Sequence, residues 1–129
     1  MDNSAINVLV IDDESDFRQL MSFWLKSKNY SVSSAPDGAS GVNMLKEGQF
    51  DIVFLDLNMP EMNGVETLKK IREFNKEIPV IIISAYVDRL KISEVKPYQI
   101  SGVFYKGEEF DKGLALLEST LRTHKKLKK

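Results

Sequence analysis

The chain predicts an α/β fold, a three-layer sandwich built on a doubly wound, mostly parallel sheet, and three observations carry that prediction. Five short apolar runs alternate with five stretches of helical periodicity. Two of those runs, Asp51 to Leu55 and Val80 to Ile83, are apolar almost throughout and rich in β-branched residues, as in strands covered on both faces. The connections are short, so each strand, helix and next strand form a right-handed crossover unit.

The elements follow in order. Ile6 to Ile11 is the first strand. After Asp13, the apolar residues Phe17, Leu20, Met21, Trp24 and Leu25 recur at the spacing of one buried helix face. Tyr30 to Ala35 mixes apolar and small polar residues, which suits an edge strand. The Asp37-Gly38 pair opens a second helix ending near Gly48. Between the two apolar strands lies a helix from about Gly64 to Phe74. Tyr86 to Glu94 reads as a shorter helix stopped before Pro97, because the residue before a proline disfavours helical backbone. Gly102 to Tyr105 is the last strand, and Phe110, Leu114, Leu117 and Leu121 mark the last helix, whose packing ends near Leu121.

At 129 residues the chain is one domain's worth, long enough to remove roughly two-thirds of its unfolded surface from water. It has no cysteine, which excludes disulfides, thiolate chemistry and Cys-ligated zinc. The opening residues lack the pattern of a secretory signal, and no apolar stretch approaches the roughly twenty residues of a membrane span. A soluble, cytoplasmic protein is the expectation. Arg122, Lys125, Lys126, Lys128 and Lys129 give the last eight residues five positive charges and leave the body acidic. The expected division is a domain over 1–121 and a basic helix end or linker over 122–129, since basic residues complement a helix C-terminal dipole. That tail is too nonspecific to bind nucleic acid. His124 lies in it and is expected to be solvated.

Reactive side chains stand where the strands end. Asp12 and Asp13 follow the first strand, Asp56 the third, Ser84 the fourth and Lys106 the fifth. In an open doubly wound sheet, ligands bind outside the carboxyl ends of the strands. Three carboxylates brought together there repel one another unless some are protonated or a cation sits among them. Mg²⁺, with Mn²⁺ as the alternative, suits such oxygen ligands. A carboxylate kept ionised beside Mg²⁺ and an ammonium group can attack phosphorus, so the chemistry implied is an aspartyl phosphate on Asp56. Asp12 and Asp13 are better placed to hold the metal, and Ser84 to hydrogen-bond a phosphoryl oxygen. The plain alternative is that polar residues are common at strand ends and that the Asp pair caps the first helix.

These residues resemble the receiver domain of two-component response regulators, over almost the whole chain. The resemblance rests on Val8-Leu9-Val10-Ile11-Asp12-Asp13-Glu14, on Asp51-Ile52-Val53-Phe54-Leu55-Asp56-Leu57-Asn58-Met59-Pro60-Glu61-Met62-Asn63-Gly64, on Pro79-Val80-Ile81-Ile82-Ile83-Ser84-Ala85 and on Lys106. It implies a flavodoxin-like sheet in the order 2-1-3-4-5. It also implies that Asp56 accepts a phosphoryl group from a histidine kinase or phosphotransfer protein, without being a turnover enzyme. Asp13, Asp56 and the Asn58 carbonyl would ligate Mg²⁺, with Asp12 acting through water. Ser84 would be the switch hydroxyl, and Lys106 would pair with the phosphoryl group. The surface of the fourth helix, fifth strand and fifth helix would then engage a downstream protein or fused output domain, with no role for a membrane.

Two positions depart from the family. Lys106 is followed by Gly107 where a proline is usual, and a trans bond is expected because a cis bond before a non-proline residue costs about 2.5 to 4 kcal/mol. Val103 stands where many members carry an aromatic switch residue. Tyr105 shares its face by strand alternation. Asn58 and Tyr86 are expected to flank the pocket, and Pro60 and Gly64 to shape the loop, the glycine through unusual backbone angles. Three other functions compete. An unphosphorylated scaffold has no need for three repelling carboxylates. A phosphatase would want an acid two residues beyond Asp56, where Asn58 stands, and a flavin phosphate would be repelled by Asp12 and Asp13.

Overall fold

The computed structural model describes residues 6–85 and 89–123. Its elements in chain order are β1 (Asn7–Ile11), α1 (Ser15–Ser27), β2 (Ser31–Ala35), α2 (Gly38–Glu47), β3 (Ile52–Asp56), α3 (Gly64–Phe74), β4 (Val80–Ser84), α4 (Arg89–Val95), β5 (Gly102–Tyr105) and α5 (Phe110–Thr123). The five strands form one parallel sheet in the order β2-β1-β3-β4-β5. This is the predicted sandwich, with β2 at an edge, and each strand boundary falls within one residue of the predicted run.

Strand alternation sorts the apolar side chains onto two faces. Leu9, Ile11, Val53, Leu55, Val80 and Ile82 pack with Val42 and Leu45 of α2 and with Leu68 and Ile71 of α3. Val8, Val10, Ile52, Phe54, Ile81, Ile83 and Phe104 pack with Met21 and Leu25 of α1 and with Leu117 and Leu121 of α5. Because helices cover both faces, β3 and β4 are buried along their whole length, which accounts for their unbroken apolar sequence.

The buried stripe of α1 is narrower than predicted. Leu20 is 57% exposed, because it lies at the rim of the stripe, while Met21 and Leu25 are buried and Trp24 stacks on Phe110 of α5 at 5.4 Å. Asp37 caps α2 by accepting from the Ser40 N–H, and Asn63 caps α3 in a reciprocal pair with Glu66. α4 ends at Val95, and Pro97 sits in a one-turn 3₁₀ helix, Lys96–Tyr98, which closes on Gln99 in left-handed backbone. The start expected at Tyr86 lies outside the described residues, as does the stretch from His124 onward.

Arg72 ties the far end of the sheet together. Its buried guanidinium donates to the carbonyls of Tyr98 (2.8 Å), Asn75 (3.1 Å), Ile78 (2.9 Å) and Gln99 (2.9 Å). Burial lowers its pKa, and carbonyl dipoles stand where a carboxylate partner would otherwise be needed. Replacing Arg72 with Met strands four buried or half-buried acceptors. It is expected to lower the unfolding free energy by about 3 kcal/mol. Arg72→Lys should recover only part of that loss, and urea midpoints of the two variants measure the difference.

Candidate functional site

The parallel register places the reactive residues at one edge of the sheet. Asp56 and Ser84 are the last residues of β3 and β4, and Ile83 pairs with Asp56 while Ser84 pairs with Tyr105. Asp12 and Asp13 follow β1 directly, and the Asp12 N–H donates to the Ala35 carbonyl at 3.1 Å. Lys106 follows β5, anchored by its N–H to the Ser84 carbonyl at 2.8 Å. Carboxylate oxygens of Asp12, Asp13 and Asp56 lie within 4.8 Å of one another. Asp12 and Asp56 are almost fully buried, at 0% and 2% exposure, whereas Asp13 is exposed.

Lys106 reaches into this cluster from the opposite side of β3. Its ammonium is 2.9 Å from Asp12 Oδ2 and 3.6 Å from Asp56 Oδ2, and it hydrogen-bonds Glu14. The ammonium also lies 4.8 Å from the centre of the Phe17 ring. The following residue, Gly107, adopts a trans peptide like every other described bond. Glu108 shapes the turn instead, accepting the Tyr105 N–H through Oε1 at 3.0 Å and donating its own N–H to the Tyr105 carbonyl at 2.9 Å.

The electrostatics follow from burial. Desolvation, reinforced by the charge on Asp12, pushes the Asp56 carboxyl up to about 7, with Lys106 and the Asn58 N–H pulling it back. Burial also raises Asp12, against the Glu14 N–H and Lys106. For Lys106, burial works against the charge, but hydrogen bonds to Glu14 and Asp12 and the charges of Asp56 and Asp12 outweigh it, so its pKa is raised. One oxygen of Asp12, Oδ2, is buried without a hydrogen-bond donor and is met only by the Lys106 ion pair. An anionic cluster with raised proton affinity and a spare buried oxygen fits a hard divalent cation.

Other predicted positions fall as follows. Asp12 does not cap α1 in the usual way. Its Oδ1 accepts from Glu14 N at 2.8 Å, and Glu14, the residue in the cap position, makes no side-chain cap bond. Asn58 donates its N–H to Asp56 Oδ1 at 3.2 Å. Gly64 has no positive φ, so its expected role through unusual backbone angles is replaced by another; the left-handed residue of this loop is Glu61, at φ 61°. Gly64 is required for space, since a Cβ there would stand 2.4 Å from the Asp56 carbonyl oxygen. Val103 packs against the cluster beneath α3 and α4, and Tyr105 is half-buried on the same strand face. Tyr86 lies outside the described residues.

Three participants were not foreseen. Glu14 engages Lys106; Arg18 donates to the Asp12 carbonyl at 2.7 Å; and Lys91 of α4 donates to Asn58 Oδ1 at 2.5 Å. Glu14 was findable as a third acid beside the strand-end pair. Lys91 was not, because it lies 33 residues from its partner on an element with no strand-end signal.

The model of the family described as response regulator receiver domain matches residues 8–118. Transcriptional regulatory protein ZraR of Escherichia coli (strain K12) is 33% identical over 125 residues, covering 96% of this chain and 28% of that protein. Chemotaxis protein CheY-3 of Vibrio cholerae is 36% identical over 107 residues, covering 81% of this chain and 82% of that protein. The structure of response regulator protein TrrA from Thermotoga maritima in complex with Mg(2+)-BeF aligns at a TM-score of 0.80 and 26% identity, over 88% of this chain and 97% of that one. The chain thus spans under a third of ZraR's length and most of the chemotaxis protein's. With the family model running from Val8 in β1 through β5 and both strand-end acid sites, this chain belongs to the response regulator receiver domain family.

Proposed function

We propose that the protein is a phosphorylation-dependent switch in which Asp56 accepts a phosphoryl group. The observation that carries this reading is the meeting of three carboxylates within 4.8 Å with Lys106 at 3.6 Å from Asp56. Asp56 is the acceptor because it is buried at the end of β3 and stands 3.6 Å from the ammonium, whereas buried Asp12 is already engaged with it at 2.9 Å. In the transfer, an Asp56 carboxylate oxygen forms the bond to phosphorus while the bond from phosphorus to the donor breaks. A phosphohistidine donor leaves as imidazole, which takes up a proton from solvent.

Asp13, Asp56 and the Asn58 carbonyl are the groups that would hold Mg²⁺ or Mn²⁺, with Asp12 acting through water. A bound divalent cation supplies charge neutralisation for the incoming phosphoryl oxygens. Lys106 supplies the second positive charge. To do so it must exchange part of its contact with Asp12 and Glu14 for a phosphoryl oxygen, and the stronger charge there favours that exchange. Ser84 stands at the neighbouring strand end as the hydroxyl that follows the phosphoryl group.

The donor would be a histidine kinase or phosphotransfer protein, and the readout a changed surface over α4, β5 and α5 for a downstream protein or an output domain. The protein is then a stoichiometric acceptor rather than a turnover enzyme, and acts in the cytoplasm. Among the described residues no helix is long and apolar enough to cross a membrane.

Incubation with acetyl phosphate and Mg²⁺ is expected to add one phosphoryl mass to the wild type, to add none in the presence of chelator, and to add none to Asp56→Asn. Full labelling of Asp56→Asn in intact-mass spectra would remove the assignment.

A second expectation concerns the metal-free protein. With its carboxyl raised to about 7 in the fold and near its ordinary value when unfolded, Asp56 binds more protons folded than unfolded between about pH 4 and 7. Its contribution to stability therefore falls as pH rises through that window, and the cost is complete above it. In chelator at about pH 8, Asp56→Asn should melt at least about 4 °C above the wild type, a shift that about 1 kcal/mol produces in a domain near this size. The gap should close toward pH 4, which thermal melts across the range will show.

A further inference from the structure

Glu14 occupies the capping position of α1 without capping it. Its backbone is extended and its side chain makes no cap bond, although this position favours short polar side chains that accept from the first N–H groups of the helix. The carboxylate instead accepts a hydrogen bond from the Lys106 ammonium, 92 residues away in the chain. The Glu14 backbone is fixed on both sides, its N–H donating to Asp12 Oδ1 at 2.8 Å and its carbonyl accepting the Arg18 N–H at 3.0 Å. Lys106 thus meets three groups from one corner of the pocket: Glu14, Asp12 at 3.2 Å from Oδ1 and 2.9 Å from Oδ2, and the Phe17 ring at 4.8 Å. An ammonium has three N–H donors. Asp12 and Glu14 draw on them, while the Asp56 oxygen stays at 3.6 Å, outside hydrogen-bond distance. The ammonium is therefore held on the β1–α1 side of the pocket, off the acceptor.

We propose that Glu14 is an internal competitor for Lys106: its carboxylate holds the ammonium in place of a phosphoryl oxygen and so sets how readily Asp56 is modified. This rests on the reading of Asp56 as phosphoacceptor and adds a regulatory residue to it. Glu14 suits the role because it can be displaced. Its side chain is 60% exposed, so water solvates the carboxylate once the ammonium leaves. Asp12 is fully buried, and an acid abandoned there would keep its charge without solvent or partner. Of the two acids that grip Lys106, Glu14 is therefore the one that lets go. A phosphoryl group brings a charge of about −2 and three strong acceptor oxygens against the single charge of Glu14, so it wins the exchange. Lysine's flexible four-carbon stem lets the head cross toward Asp56 while the backbone N–H stays bonded to the Ser84 carbonyl.

The test uses beryllofluoride, a phosphoryl mimic, with saturating Mg²⁺ on the wild type, Glu14→Gln, Glu14→Asp and Asp16→Asn. Affinity is read by ¹⁹F NMR, and the rate of labelling by acetyl phosphate from intact mass. Glu14→Gln should bind the mimic roughly threefold more tightly than the wild type and label faster, on the scale of a solvent-facing ion pair. Glu14→Asp keeps the charge but shortens the reach, and an aspartate at this position turns to the N–H groups of α1. It should show the same gain. Asp16 lines the same cleft as Glu14 and Lys106, and among the described residues no ion pair joins it to Lys106. Asp16→Asn should therefore match the wild type. Unchanged or weaker binding by Glu14→Gln would overturn the competitor role while leaving Asp56 as acceptor. A Glu14→Asp variant that stays at the wild-type level, or an Asp16→Asn variant that gains as much as Glu14→Gln, would also overturn it, since charge in the cleft and not the grip on Lys106 would be what matters. Absence of beryllofluoride binding by the wild type, together with no acetyl phosphate labelling, would instead remove the acceptor reading itself and the role of Glu14 with it.

Discussion

The crowding of Asp12, Asp13 and Asp56 is the constraint around which the carboxyl end of the sheet is organised. Parallel strands β1 and β3 are hydrogen-bonded neighbours, so whatever follows one is forced beside whatever ends the other. Burial then deprives Asp12 and Asp56 of the solvent that would screen them. Lys106 offsets part of the repulsion from β5, two strands from β3. Glu14 and Arg18 complete the arrangement by holding the ammonium and the Asp12 carbonyl. The result is a pocket with residual affinity for positive charge, which suits a hard divalent cation.

Most of the fold was legible because periodicity maps directly onto burial. The unbroken apolar runs of β3 and β4 can be explained only by two covered faces, and the sheet has them. Where the reading slipped, the cause was geometric. Leu20 fits the helical spacing of α1 but lies at the rim of its stripe, mostly exposed. Gly64 was read as a torsional residue, whereas Glu61 carries the left-handed backbone and the glycine exists because α3 begins against the Asp56 peptide. No local pattern distinguishes those two uses of glycine.

The site was legible to the same extent that it lies at strand ends. Asp12, Asp13, Asp56 and Lys106 all terminate apolar runs, so their convergence needed only the strand order. That order came from the family resemblance, since spacing alone is silent on which strands are neighbours. Lys91 and Arg18 belong to helices, where a basic residue is indistinguishable from ordinary surface charge until the packing brings it to an acceptor.

The carbonyl cage around Arg72 gives α4 a fixed foot. Through Tyr98 and Gln99 the guanidinium holds the turn that follows Val95, and Val95 itself is fully buried. The other end of the helix carries Leu90 in solvent and Lys91 on a polar contact. The two ends of α4 are therefore held unequally: any force on the helix would turn it about its Val95 end, as about a fulcrum, rather than slide it along the sheet.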